Sequence, residues 1–105
     1  MANNMRPIHP GEILREDFTE IGISANAFAA AICVPANRVT AILNGTRSIT
    51  ADTGLRLAKY FGTTPEFWLN LQSAYDLKIA KLTAGKKIEK EVHAYHPGTT
   101  NTAHT

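Results

Sequence analysis

Apolar residues recur along this chain at intervals of three and four, and the breaks between them carry glycine, proline, serine and threonine. Leu14, Phe18 and Ile21 share one face of a first predicted helix. Pro10 suits its first turn, Glu12 places a negative charge where the helix dipole favours one, and Gly22 stops it. Ser24 predicts the cap of a second helix, in which Ala25, Phe28, Ala29 and Ile32 follow the i, i+3, i+4, i+7 pattern. The small residues Ala29, Ala30 and Ala31 would let another helix approach. A short turn at Cys33 and Val34 then leads to Pro35, placed as the first residue of a third helix.

That third segment, residues 35–44, organises the rest. At 100° per residue Val39, Ile42 and Leu43 fall on one face. Asn37, Thr40, Ala41 and Asn44 fall opposite, with Ala36 and Arg38 on the flanks. One side can dock on a core. The other offers amides, a hydroxyl and a guanidinium, groups that read base edges in a DNA major groove. Two short helices joined by a tight turn are the helix-turn-helix pattern. Asn37 and Arg38 lie in the first turn, the part that enters deepest; an amide pairs with adenine and a guanidinium with guanine. Thr40 and Ala41 suit thymine methyl groups or close approach. Asn44, Thr46, Arg47 and Ser48 would lie nearer the strand backbone and its phosphates.

Asn44 and Gly45 end that helix. Thr50 predicts the cap of a fourth, with Asp52 in its first turn, Gly54 inside it, and Ala51, Leu55, Ala58 and Phe61 as its inward stripe. Thr64, Pro65 and Glu66 open a long fifth helix: cap, proline and acid in order. Trp68, Leu71, Tyr75, Ile79 and Leu82 alternate by three and four along it. Phe67, Ala74 and Leu77 widen the stripe, which suits either a partner subunit or a helix that wraps its own domain. Under the first reading Trp68, Leu71, Tyr75 and Ile79 form a dimer interface. Gly85 is expected to interrupt this helix, and residues 86–92 could add a turn or two. Residues 1–8 read as an arm, 9–94 as one all-α domain, and 95–105 as a disordered tail.

With 105 residues and 44% hydrophobic positions the chain can bury a core without disulfides or metal. The net charge of +2 says little, but its distribution says more. Glu12, Glu16, Asp17 and Glu20 make the first helix acidic against Arg15. Arg38, Arg47, Arg56, Lys59 and five lysines between 78 and 90 make the later segments basic. The single cysteine, Cys33, fits a reducing compartment and reads as a buried structural thiol. No apolar run approaches the roughly 20 residues of a membrane span, and the N-terminus lacks the apolar stretch of a signal peptide, so a cytoplasmic, nucleoid-associated protein is expected. Enzyme chemistry finds no support. His9, His93, His96 and His104 sit in terminal segments and read as solvated, none pairs with a cysteine at metal-ligand spacing, and there is no glycine-rich phosphate loop. No catalytic residue, metal site or cofactor is assigned.

The residues now in view resemble the HigA-type antitoxins, also called virulence-associated protein I, within the XRE/Cro-like helix-turn-helix proteins. The resemblance runs from about residue 9 to 92. It is carried by His9-Pro10-Gly11-Glu12-Ile13-Leu14, Val34-Pro35-Ala36-Asn37-Arg38-Val39 and Ile49-Thr50-Ala51-Asp52-Thr53. The run Phe61-Gly62-Thr63-Thr64-Pro65-Glu66-Phe67-Trp68-Leu69-Asn70-Leu71-Gln72 and the Tyr75-Asp76-Leu77 that ends the match add to it. It implies a five-helix, lambda-repressor-like domain with a long C-terminal helix. It implies a homodimer that represses its own operon at a palindromic operator and sequesters a HigB-type toxin, a small RelE-like ribonuclease. Ala36, Asn37, Arg38, Thr40 and Ala41 match positions that face bases; Asn44, Thr46 and Arg47 match positions near phosphates. Cys33 stands where such turns usually have glycine, and Gly54 where alanine is usual. A stand-alone XRE-family regulator without a toxin partner is the alternative, and an interaction module that has lost DNA binding is a third reading.

Overall fold

The computed structural model describes residues 6–97, so most of the expected arm and tail lies outside the described residues. The described residues form five helices and no strand: α1 (Pro10–Ile21), α2 (Ala25–Ile32), α3 (Ala36–Leu43), α4 (Ala51–Phe61) and α5 (Pro65–Glu91). The all-α, five-helix expectation is met.

Local chemistry explains most of the boundaries. Ser24, Thr50 and Thr64 each accept a backbone N–H from the first turn of α2, α4 and α5. Gly22 and Gly62 end α1 and α4 in the left-handed conformation, both at φ 72°. α1 is capped less obviously. The His9 ring accepts the Gly11 N–H at 2.9 Å, and the Glu12 carboxylate accepts the His9 N–H at 3.3 Å. Arg6 clamps the same carboxylate at 2.7 and 2.9 Å, and its hydrogen bonds push the Glu12 carboxyl down to about 2. His9 is therefore buried and not solvated. Burial lowers its pKa, against smaller opposing pulls from the Arg47 carbonyl, Asp76 and Glu12.

The core collects Leu14 and Phe18 from α1, Phe28, Ala29 and Ile32 from α2, and Val39 and Ile42 from α3. Ile49, Leu57 and Ala58 close it, and Trp68 from α5 is only 1% exposed. Aromatic rings run through it in sequence, Phe18 to Phe28 to Phe61 to Trp68, at centroid spacings of 4.6, 5.7 and 5.7 Å. The Trp68 indole N–H donates to the Thr63 hydroxyl at 3.0 Å. Buried Gln72 accepts the Ile49 N–H at 2.8 Å, which ties the loop after α3 to α5.

Several expectations need correction. Pro35 is the N-cap of α3 and not its first helical residue; its ψ of 144° is extended. Ile21 is 51% exposed, outside the core. α4 turns Thr53, Gly54, Leu57 and Ala58 inward, while Ala51 and Leu55 face solvent. Thr53 can face inward because its hydroxyl meets Thr50 Oγ1 at 3.5 Å. Gly54 faces inward because Leu69 and the Pro65 carbonyl of α5 lie just beyond it. Gly85 does not interrupt α5, which runs unbroken through it to Glu91. One glycine costs a helix about 1 kcal/mol, too little to break one with good helix formers on both sides.

Candidate nucleic-acid interface

α3 is seated by one face and free on the other. Val39 and Ile42 are buried and Leu43 is half-buried; Ala36, Asn37, Thr40 and Asn44 are exposed, and Ala41 is half-buried. The helix packs on α1 and α2. Its closest approach is at Gly11, where any Cβ would overlap the Ile42 carbonyl oxygen and lie 3.1 Å from Leu43 Cα. Only glycine lets α1 pass the C-terminal end of α3 at this distance.

The turn between α2 and α3 is set by Cys33, at φ 61° and ψ 48°, where the Val34 N–H returns to the Ala29 carbonyl at 3.0 Å. Cys33 is the one described non-glycine residue with positive φ, a strained position for a side chain. That conformation turns the thiol outward, so Cys33 is exposed and not the buried thiol expected. Pro35 gives α3 no side-chain cap, which leaves the N-terminal N–H groups without a side-chain acceptor and suited to an anion.

The expected contact residues fall into distinct situations. Asn37 is exposed in the first turn. Thr40 lies one turn on, its hydroxyl resting on the Ala36 carbonyl at 3.2 Å. The Thr46 hydroxyl donates to the Ala41 carbonyl at 3.1 Å, which tightens the start of the loop after α3; Arg47 and Ser48 follow, exposed. Asn44 accepts a 2.8 Å hydrogen bond from Arg15, which also donates to the Leu43 carbonyl at 3.1 Å. Arg15 thus grips the C-terminal end of α3 from α1, a role that a lone cation on an acidic helix did not announce.

Arg38 differs from the rest. Its side chain is only 23% exposed and its Nη1 donates to Asp52 of α4 at 3.0 Å. Arg56 donates to the same carboxylate at 2.9 Å and to the Ile32 carbonyl at 2.9 Å. The two guanidinium groups, Arg56 foremost, hold the Asp52 carboxyl below the usual carboxylate range.

On α5, Trp68 is a core residue with no surface to offer a partner, which removes it from the expected interface. Leu71, Tyr75 and Ile79 are half-buried, and the Tyr75 ring meets the His9 ring edge-on at 4.9 Å. Farther along, Leu77, Leu82 and Ile88 are 57%, 71% and 50% exposed. Among the described residues no cluster of His, Cys, Asp or Glu is placed to hold a metal, and no helix is long and apolar enough to cross a membrane.

Two short helices meeting at a left-handed turn, the second exposing a small polar face, define a helix-turn-helix protein. The sequence pattern of the helix-turn-helix family matches residues 14–68, from α1 into α5. Virulence-associated protein I of Dichelobacter nodosus is 52% identical over 80 residues, 75% of this chain and 74% of that protein. An addiction module antidote protein of the HigA family from Coxiella burnetii superposes with a TM-score of 0.84 at 68% identity, over 87% of this chain and 100% of that one. The Pseudomonas aeruginosa antitoxin HigA, solved with the higBA promoter, superposes with a TM-score of 0.83 at 47% identity, over 87% of this chain and 100% of that one. The chain belongs to the HigA-type antitoxins of the helix-turn-helix family, which are DNA-binding regulators and not enzymes.

Proposed function

We propose that this protein is a cytoplasmic antitoxin that represses its own operon as a homodimer and neutralises a HigB-type toxin. The observation that carries the DNA-binding part is the exposed polar face of α3, seated by Val39 and Ile42, in a chain similar to an antitoxin solved with its promoter. In this reading Ala36, Asn37, Thr40 and Ala41 meet base edges, and Asn44, Thr46, Arg47 and Ser48 hold the strand backbone. One recognition helix reads too few bases for high specificity, so a symmetric pair placed about 34 Å apart, one DNA turn, reads a palindrome. The dimer face is Leu71, Tyr75 and Ile79, continued at the same helical spacing by Leu82.

The test is fluorescence anisotropy with a labelled duplex from upstream of the gene, repeated across salt concentrations. The reading expects tight binding that weakens steeply with salt, and a shallower salt slope for Arg47→Ala. Absence of salt-sensitive binding would leave an interaction module that does not bind DNA. Co-expression with a neighbouring small basic reading frame tests the toxin: a stable complex supports the antitoxin role, and no complex with any neighbour leaves a stand-alone regulator.

A further inference from the structure

We propose that Arg38 and Asp52 form a positioning pair that fixes the pose of the recognition helix, and that Arg38 does not itself read a base. The inference rests on the DNA-binding reading above and takes Arg38 out of the base contacts expected from the sequence.

Arg38 sits on the flank of α3, between the exposed face and the core. Its chain lines a small cavity with Val34, Val39, Thr53 and Leu57, and its Nε is buried with no hydrogen-bond partner. The guanidinium is drawn to the α4 side, 3.0 Å from Asp52, and away from the direction in which Asn37 and Thr40 are exposed. To meet a base it would have to leave that carboxylate and pull its stem from apolar surroundings. Asp52 is shared: Arg56 binds it as well, and Arg56 also donates to the Ile32 and Cys33 carbonyls at the end of α2. One carboxylate therefore links the end of α2, the start of α3 and the start of α4. The other end of α3 is gripped by Arg15. α3 buries only Val39 and Ile42 and has no side-chain cap, so polar ties at its two ends do what apolar contact alone does not.

The experiment uses the full chain, the upstream duplex, and a panel of duplexes each carrying one changed base pair in a half-site. Arg38→Met keeps the stem and removes the guanidinium; Asp52→Asn removes the charge from the other partner. Each is expected to weaken binding to the parent duplex roughly tenfold, and the double variant no further than the worse single, as for residues in direct contact. The order of base preference at every position is expected to stay that of the wild type, and Asp52→Glu to recover part of the loss. Loss of preference at one base pair in Arg38→Met alone would make Arg38 a base reader and overturn the inference while leaving the DNA-binding reading intact. Tighter binding by Asp52→Asn, or unchanged binding by both variants, would also overturn it. No salt-sensitive binding by the wild type would bring down the reading and the inference together.

Discussion

α3 and α5 expose opposite kinds of surface. α3 has eight residues, buries Val39 and Ile42 with Leu43 half-buried beside them, and shows solvent a small polar face tied at both ends by arginines. α5 has 27 residues, about 40 Å of helix, and leaves Leu77, Leu82 and Ile88 half or more exposed along it. A polar face that stays wet in the free protein suits a polar, hydrated partner such as a DNA groove. Apolar side chains that stay wet suit an apolar partner, which the proposed function takes to be a second copy. The fold separates the two: α1 and α2 seat α3, while α5 packs on α4 and α1, in a molecule measuring 60 × 28 × 24 Å overall. Each surface can then be altered without the other, and that independence is open to test.

The largest effect is expected where α3 is seated. Gly11→Val would drive a side chain into the Ile42 carbonyl and should cost about 3 kcal/mol, read by chemical denaturation, with DNA binding lost alongside. Next comes α5. Leu82→Glu should leave monomer stability within about 0.5 kcal/mol, since the side chain is 71% exposed, yet weaken self-association at least tenfold in sedimentation runs over a concentration series. A dimer of unchanged strength would put the contact elsewhere. Cys33→Gly relieves a left-handed side chain in the turn that precedes α3 and should add about 1 kcal/mol, raising the melting temperature by several degrees without altering base preference. The smallest effect is expected from Gly85→Ala. Nothing lies within 4 Å of the added methyl, so helix propensity alone should contribute up to about 1 kcal/mol, confined to distal α5 and read by hydrogen exchange there.

The elements that hydrophobic spacing and caps could reveal were legible. Ser24, Gly22, Thr50 and Thr64 mark helix ends by well-known side-chain chemistry, and the face of α3 follows from Val39 and Ile42. What escaped depends on tertiary neighbours. Thr53 and Gly54 are not apolar by type, yet they face inward because Thr50 meets one and Leu69 packs beside the other. Histidine is not a usual cap, and His9 serves as one because Tyr75 and Gly45 enclose its ring. Trp68 shares a stripe with Leu71 and Tyr75, and periodicity does not say which of the three fills the core. Arg38 carries the right group for a base contact, but its pairing spans 14 positions, and no local pattern reports that Asp52 stands opposite.

The central claim is that the exposed face of α3 reads DNA. The most direct measurement compares Asn37→Ala/Thr40→Ala with the wild type by anisotropy on the upstream duplex and on a random duplex of equal length. Both side chains are exposed and neither touches the core, so the fold should hold. The account predicts that affinity for the upstream duplex falls to the level of random DNA while the salt dependence is kept, because the phosphate contacts lie elsewhere. Undiminished discrimination between the two duplexes would contradict it.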